Sequence, residues 1–176
     1  MIKAKFGARL DVWIRRCFPF LFLRRLSPNA LTVSGTCVSL AAAVAFGAGA
    51  FVPGGLLMLA GGFFDLVDGV VARDQGRATR CGAFLDSTLD RVQDMALLLG
   101  LSVHFAGVGA PSLVLLTGYV LAASLMISYL QARAELVLPA FRVGILERAE
   151  RVLILAAGAL SGLVGLLPQF FPFGDR

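Results

Sequence analysis

The residues in this 176-residue chain best able to do chemistry are four aspartates. Asp65 and Asp68 are spaced i,i+3, and Asp86 and Asp90 i,i+4, so on helices each pair shares one face. A carboxylate inside an apolar segment is costly unless it is paired or hydrated. Four that converge would repel and disfavour one another's ionised form, so a cation must hold them. Arg73 and Arg91 are too few for this and lie at the edge. Hard oxygen donors suit Mg²⁺, Mn²⁺ or Ca²⁺. Two such ions about 4 Å apart would neutralise the cluster and clamp a phosphoryl group for in-line displacement. The spacing therefore predicts a dinuclear metal centre on Asp65, Asp68, Asp86 and Asp90. Asp74 and Asp94 fall outside this pattern and read as ion-pair partners of loop arginines.

Such a cluster needs two antiparallel helices joined by a short loop. Asp68 and Asp86 are equally far from a loop centred near residue 77, and Asp65 and Asp90 lie roughly one turn further from it. The rest of the chain supplies a membrane setting. It is 58% hydrophobic and 15% charged, with a mean hydropathy of +0.84. That balance excludes an ordinary soluble globule and a disordered chain, and the continuous apolar runs disfavour a transmembrane barrel. The expected class is all-α, a polytopic membrane helical bundle with five spans near 30–51, 56–72, 82–105, 112–138 and 147–167. Pro53, Gly54 and Gly55 read as the turn between the first two.

Every Lys and Arg except Arg176 falls in residues 1–26, in the second-to-third connection and its flank, or around the fourth-to-fifth connection. These sides are expected in the cytoplasm of the cell (plasma) membrane, with the C-terminal tail outside. Residues 1–26 pattern as an amphipathic interfacial arm whose basic face suits anionic lipid better than nucleic acid. Residues 27–176 form one membrane domain. Cys17, Cys37 and Cys81 match no disulfide or zinc framework, and the single His104 reads as structural. Gly69, Ala72 and Gly82 suit close helix packing and also close approach of a base or diphosphate.

The pattern Asp65-x2-Asp68-Gly69-x2-Ala72-Arg73-x8-Gly82-x3-Asp86-x3-Asp90 resembles the full signature of the CDP-alcohol phosphatidyltransferase family over 26 residues. The resemblance implies an enzyme with two Mg²⁺ ions, or Mn²⁺, that transfers a phosphatidyl group from CDP-diacylglycerol to an alcohol and releases CMP. It implies metal binding by Asp65, Asp68, Asp86 and Asp90, with Asp90 also taking the acceptor's proton. Pro28, Asn29, Ala30, Leu31 and Thr32 resemble the family's Pro-Asn-x-x-Thr opening. With Gly69, Ala72, Arg73, Thr79 and Gly82 they are the implied CDP-lipid contacts. The alternative for the opening is a plain helix start capped by Ser or Asn.

Residues 128–135 and 144–151 are similar to segments of the phosphatidylinositol-phosphate synthases. Arg133, Arg148 and Arg151 would then hold the phosphate of an inositol phosphate acceptor, with glycerol 3-phosphate the next candidate. The plainer alternative is a Glu147–Arg151 surface pair and arginines that serve topology alone. Two departures stand out: Gln131 occupies a position expected to be basic, and the family has six spans where five are expected here. The family also implies a homodimer. Outside this class stand a divalent-cation carrier using the same acids and a non-catalytic lipid-binding homologue.

Overall fold

The computed structural model describes residues 27–76, 79–137 and 148–170, and Arg16. The interfacial arm expected over 1–26 lies outside the described residues apart from Arg16, as do 138–147 and the tail from 171. The described elements are helices: α1 Pro28–Gly47, α2 Phe51–Asp74, α3 Arg80–Gly107, α4 Pro111–Val137, α5 Arg148–Leu160 and α6 Leu163–Phe170. α1, α2 and α4 are long and apolar enough to cross a bilayer, and the pair α5–α6 becomes a further candidate if the two count as one broken span. At 28 residues, or about 42 Å, α3 is also long enough, but it carries Asp86, Asp90, Arg91 and Asp94.

α1 is the spine. It packs against both α2 and α3, while α2 and α3, although consecutive, make few close backbone approaches among the described residues; α4 then leans on α3, and α5 on α2. The polarity of α1 is inverted relative to a soluble helix. Thr32, Thr36 and Ser39 are buried, whereas Val33, Leu40 and Val44 face outward, Val44 at 74% exposure. In lipid an outward hydrocarbon costs nothing, and inward hydroxyls find partners on neighbouring helices. Gln93 of α3, 1% exposed, supplies one: its Nε2 donates to Thr36 Oγ1 at 3.1 Å and its Oε1 accepts from Ser39 Oγ at 2.8 Å.

Small residues set the close crossings. A Cβ at Gly100 would lie 2.2 Å from the carbonyl oxygen of Ala43, and one at Gly61 would lie 2.2 Å from Ser39 Oγ. Past these crossings, Ala42, Ala43, Phe46, Met58, Leu97, Leu101 and Phe105 form the apolar core.

Two sequence expectations are corrected. The first turn lies at Ala48, Gly49 and Ala50, with Gly49 at φ +77°, and not at Pro53, Gly54 and Gly55, which belong to α2. Proline is tolerated in a first helical turn because its missing N–H would have no partner there. Gly54 serves packing, since a Cβ on it would fall 2.5 Å from the ring of Phe46. The fifth segment is broken: Gly162, at φ +73°, ends α5, and the chain bends by 74° into α6. His104 packs edge-on against Phe51 at 4.8 Å, in keeping with its structural reading.

Candidate active site

The end of the bundle nearest the α2–α3 connection holds a cavity of about 190 Å³. α1 lines it with Pro28, Asn29 and Thr32, α2 with Asp68, Gly69, Ala72 and Arg73, and α3 with Thr79, Gly82, Ala83 and Asp86. The opening exists because α2 and α3 each rest on α1 and leave the space between their own ends unfilled. Pro28 starts α1, and Thr32, one turn on, presents the same face. Ala30 and Leu31, expected as CDP-lipid contacts, are turned away by helical geometry. Leu31 packs with Val67, Val70 and Val71, and Ala30 is exposed. Ala83 lines the cavity although the signature leaves that position open.

Local chemistry explains the walls. Ser27 is the N-cap of α1, but its side chain makes no capping hydrogen bond, so the plain-cap reading of this stretch is not what Ser27 does. Thr79 does cap α3, its Oγ1 accepting from Gly82 N at 3.0 Å. Gly82 keeps the wall thin: a Cβ there would stand 3.1 Å from Thr79 Oγ1 and 3.5 Å from Asn29 Oδ1. One at Gly69 would stand 3.4 Å from Arg73 Nη1.

Asp68 is 5% exposed, and its Oδ2 accepts a 2.5 Å hydrogen bond from Thr32 Oγ1. Asp65 and Asp86 are close enough to act on it as like charges. Gly35 lets α2 approach at this level, since a Cβ there would meet Phe64 Cβ at 2.8 Å and Asp65 Oδ1 at 3.0 Å. Asp65, Asp86 and Asp90 are half-buried, and Asp65 and Asp90 lie outside the cavity wall. Asp65 and Asp86 thus both come within electrostatic reach of Asp68. Among the described residues, however, no three His, Cys, Asp or Glu side chains form a ready-made metal-holding group. The donor set still fits a divalent ion, being made of hard oxygens with like charge concentrated beside the cavity. Arg91 does not lean on the acids with its Nη1, which donates to the carbonyl and hydroxyl of Ser87.

The acceptor arginines are less uniform. Arg133 is exposed near the end of α4, and Arg148 opens α5 with its side chain outside the described residues. Arg151 turns inward. Its Nη2 is 3.1 Å from Asp94 Oδ2, and its Nη1 donates to Ser124 Oγ. Asp94 was expected to pair with a loop arginine and instead pairs with one on a helix; Glu147, the expected partner of Arg151, lies outside the described residues. Ser124 carried no sequence signal, because a lone serine in an apolar helix is unremarkable until its partner is known. The three residues border a second, mostly apolar cavity of about 410 Å³.

Comparison with known proteins identifies the family. A model of the CDP-alcohol phosphatidyltransferase family matches residues 25–170. The chain is 42% identical over 139 residues to the archaetidylinositol phosphate synthase of Methanothermobacter thermautotrophicus, covering 78% of this chain and 68% of that protein. It is 42% identical over 148 residues to the phosphatidylinositol phosphate synthase of Streptomyces avermitilis, covering 82% and 61%. Among solved structures, the Mycobacterium tuberculosis phosphatidylinositol phosphate synthase with CDP-DAG bound superposes with a TM-score of 0.71 at 32% identity, over 98% of this chain and 80% of that one. The same enzyme in complex with manganese and citrate gives 0.72 at 34% identity, over 89% and 72%. This chain thus spans about three fifths to two thirds of the length of these curated relatives. With the family signature, the matched domain and the shared fold in agreement, the chain belongs to the CDP-alcohol phosphatidyltransferase family.

Proposed function

We propose that this protein transfers a phosphatidyl group from CDP-diacylglycerol to a hydroxyl of inositol phosphate, releasing CMP in phospholipid biosynthesis. The observation that carries the reading is the shared cavity: residues of the Pro-Asn-x-x-Thr opening, the Gly-x2-Ala-Arg stretch and the Thr79 cap all border it together with Asp68 and Asp86. Related proteins named phosphatidylinositol phosphate synthase support it, one of them solved both with CDP-DAG and with manganese and citrate.

In this reading Asn29, Thr32, Gly69 and Arg73 bind and orient the cytidine diphosphate, and the bare Gly69 and Gly82 let it approach the backbone. Asp65, Asp68, Asp86 and Asp90 would hold two divalent ions, Mg²⁺ or Mn²⁺, which when bound offset the carboxylate repulsion and stabilise charge developing on the diphosphate. The Thr32 hydroxyl fixes one Asp68 oxygen and so orients the other. Asp90 accepts the proton of the acceptor hydroxyl as its oxygen bonds to the lipid-linked phosphorus; the bridging P–O bond breaks, and CMP leaves with the electron pair. Arg151, with Arg133 and Arg148, receives the acceptor's own phosphate. The site faces the cytoplasm at headgroup depth in the plasma membrane, and the protein works as a homodimer.

The test is release of CMP by purified protein given CDP-diacylglycerol and, in turn, inositol phosphate, glycerol 3-phosphate, free inositol and serine. Inositol phosphate is expected to give the highest rate, and chelation of divalent metal to stop it. A rate highest with glycerol 3-phosphate would move the acceptor assignment. No CMP from any acceptor with Mg²⁺ or Mn²⁺ present would overturn the reading.

A further inference from the structure

The signature and the acceptor arginines leave Asp94 and Ser124 without a task, although both are built into the bundle around one guanidinium. Arg151 sits at the start of α5, Asp94 one turn beyond Asp90 on α3, and Ser124 in the middle of α4. The ion pair at 3.1 Å and the hydrogen bond to Ser124 tie the three helices together at the edge of the 410 Å³ cavity, whose other walls are mostly apolar. The Asp94 side chain is 17% exposed and that of Arg151 32%, so the pair is shielded on most sides. Ser124 is 7% exposed.

A guanidinium has five N–H donors in a rigid fork. Asp94 engages Nη2 and Ser124 engages Nη1. The Nε of Arg151 is buried with no hydrogen-bond partner. A buried donor left unsatisfied on a charged group is costly, and native proteins seldom keep one without a use. The two partners fix the plane of the fork, so the direction of this remaining N–H is fixed as well.

We infer that Asp94 and Ser124 are positioning residues that hold the Arg151 guanidinium so that its Nε–H is left to a phosphate oxygen of the acceptor. This rests on the proposed function. It adds α3 to the α4 and α5 residues of the acceptor site, so that an acid four residues past the proposed base Asp90 serves the acceptor phosphate and not the metal site. Phosphate oxygens are also carried by the CDP-lipid, so the two sources are measured separately.

The experiment compares D94N, D94E and S124A with the unmodified protein by CMP release, varying the acceptor and the CDP-diacylglycerol independently. D94N removes the charge and keeps the shape. It is expected to raise KM for inositol phosphate about tenfold, the loss of one charge-assisted hydrogen bond, with KM for CDP-diacylglycerol unchanged. S124A is expected to raise the same KM by a smaller factor, and D94E to recover part of the loss. An unchanged acceptor KM in both D94N and S124A, a rise confined to the CDP-diacylglycerol KM, or equal loss for both substrates would overturn the assignment. If D94N does not fold, S124A alone decides. An unmodified protein that releases no CMP would instead count against the proposed function, so the two failures are distinguishable.

Discussion

Of the acids on α2 and α3, Asp68 and Asp94 are explained by the side chains they reach. Asp68 is the most enclosed of the four, and its buried oxygen is answered by Thr32, a residue the family-like opening places one turn from Pro28. Asp90 is half-buried on α3, one helical turn beyond Asp86, and in the proposed reaction it takes the acceptor's proton. Asp90→Asn should therefore lower CMP release by about 10²–10⁴-fold, the contribution typical of a general base. CDP-diacylglycerol affinity, followed by equilibrium binding to the purified variant, should change little. Turnover at the unmodified rate would remove Asp90 from its role. The identities and spacing of these acids were legible in the sequence, because an ionisable side chain in an apolar segment stands out. The partners Thr32, Ser124 and Gln93 were not legible as partners, since a hydroxyl or amide declares its role only when the helix opposite is known.

Helix packing decides where those residues stand. α2 and α3 both fold onto α1, and the crossings are set by glycines whose missing Cβ admits a neighbouring backbone or hydroxyl. Gly100→Ala should be destabilising by about 1–3 kcal/mol, because the added methyl meets the Ala43 carbonyl, which cannot swing aside as a flexible side chain could. Gly118→Ala, with nothing within 4 Å of the added carbon, should be neutral or stabilising by up to about 1 kcal/mol. Thermal unfolding of the two variants in detergent checks the contrast, and equal effects would show that the α1–α3 crossing is not tight. The order of the four long helices, though not the five spans expected, was readable from apolar runs and basic connections. The first turn and the break at Gly162 were not, because Pro and Gly mark turns and close packing alike, and only the facing surface separates the two uses.

The molecule as a whole is apolar outward, with Val44, Leu115 and Leu136 each about three-quarters exposed on its flanks, and polar at the end that carries the cavity. That end also carries Arg73 and Arg80 beside the α2–α3 connection, and the basic connections of the sequence predict that it faces the cytoplasm. Cys81, exposed at the start of α3, should react with a membrane-impermeant maleimide in inside-out vesicles and not in right-side-out vesicles, in a protein whose Cys17 and Cys37 are replaced by serine. Labelling only from the outside would invert the topology. Everything functional depends on the acids of α2 and α3 gathering around divalent ions. The most direct test is anomalous diffraction from crystals grown with Mn²⁺ and CDP-diacylglycerol. The account predicts two manganese peaks among the oxygens of Asp65, Asp68, Asp86 and Asp90, beside the 190 Å³ cavity. Manganese absent from that place, with the nucleotide bound, would contradict it.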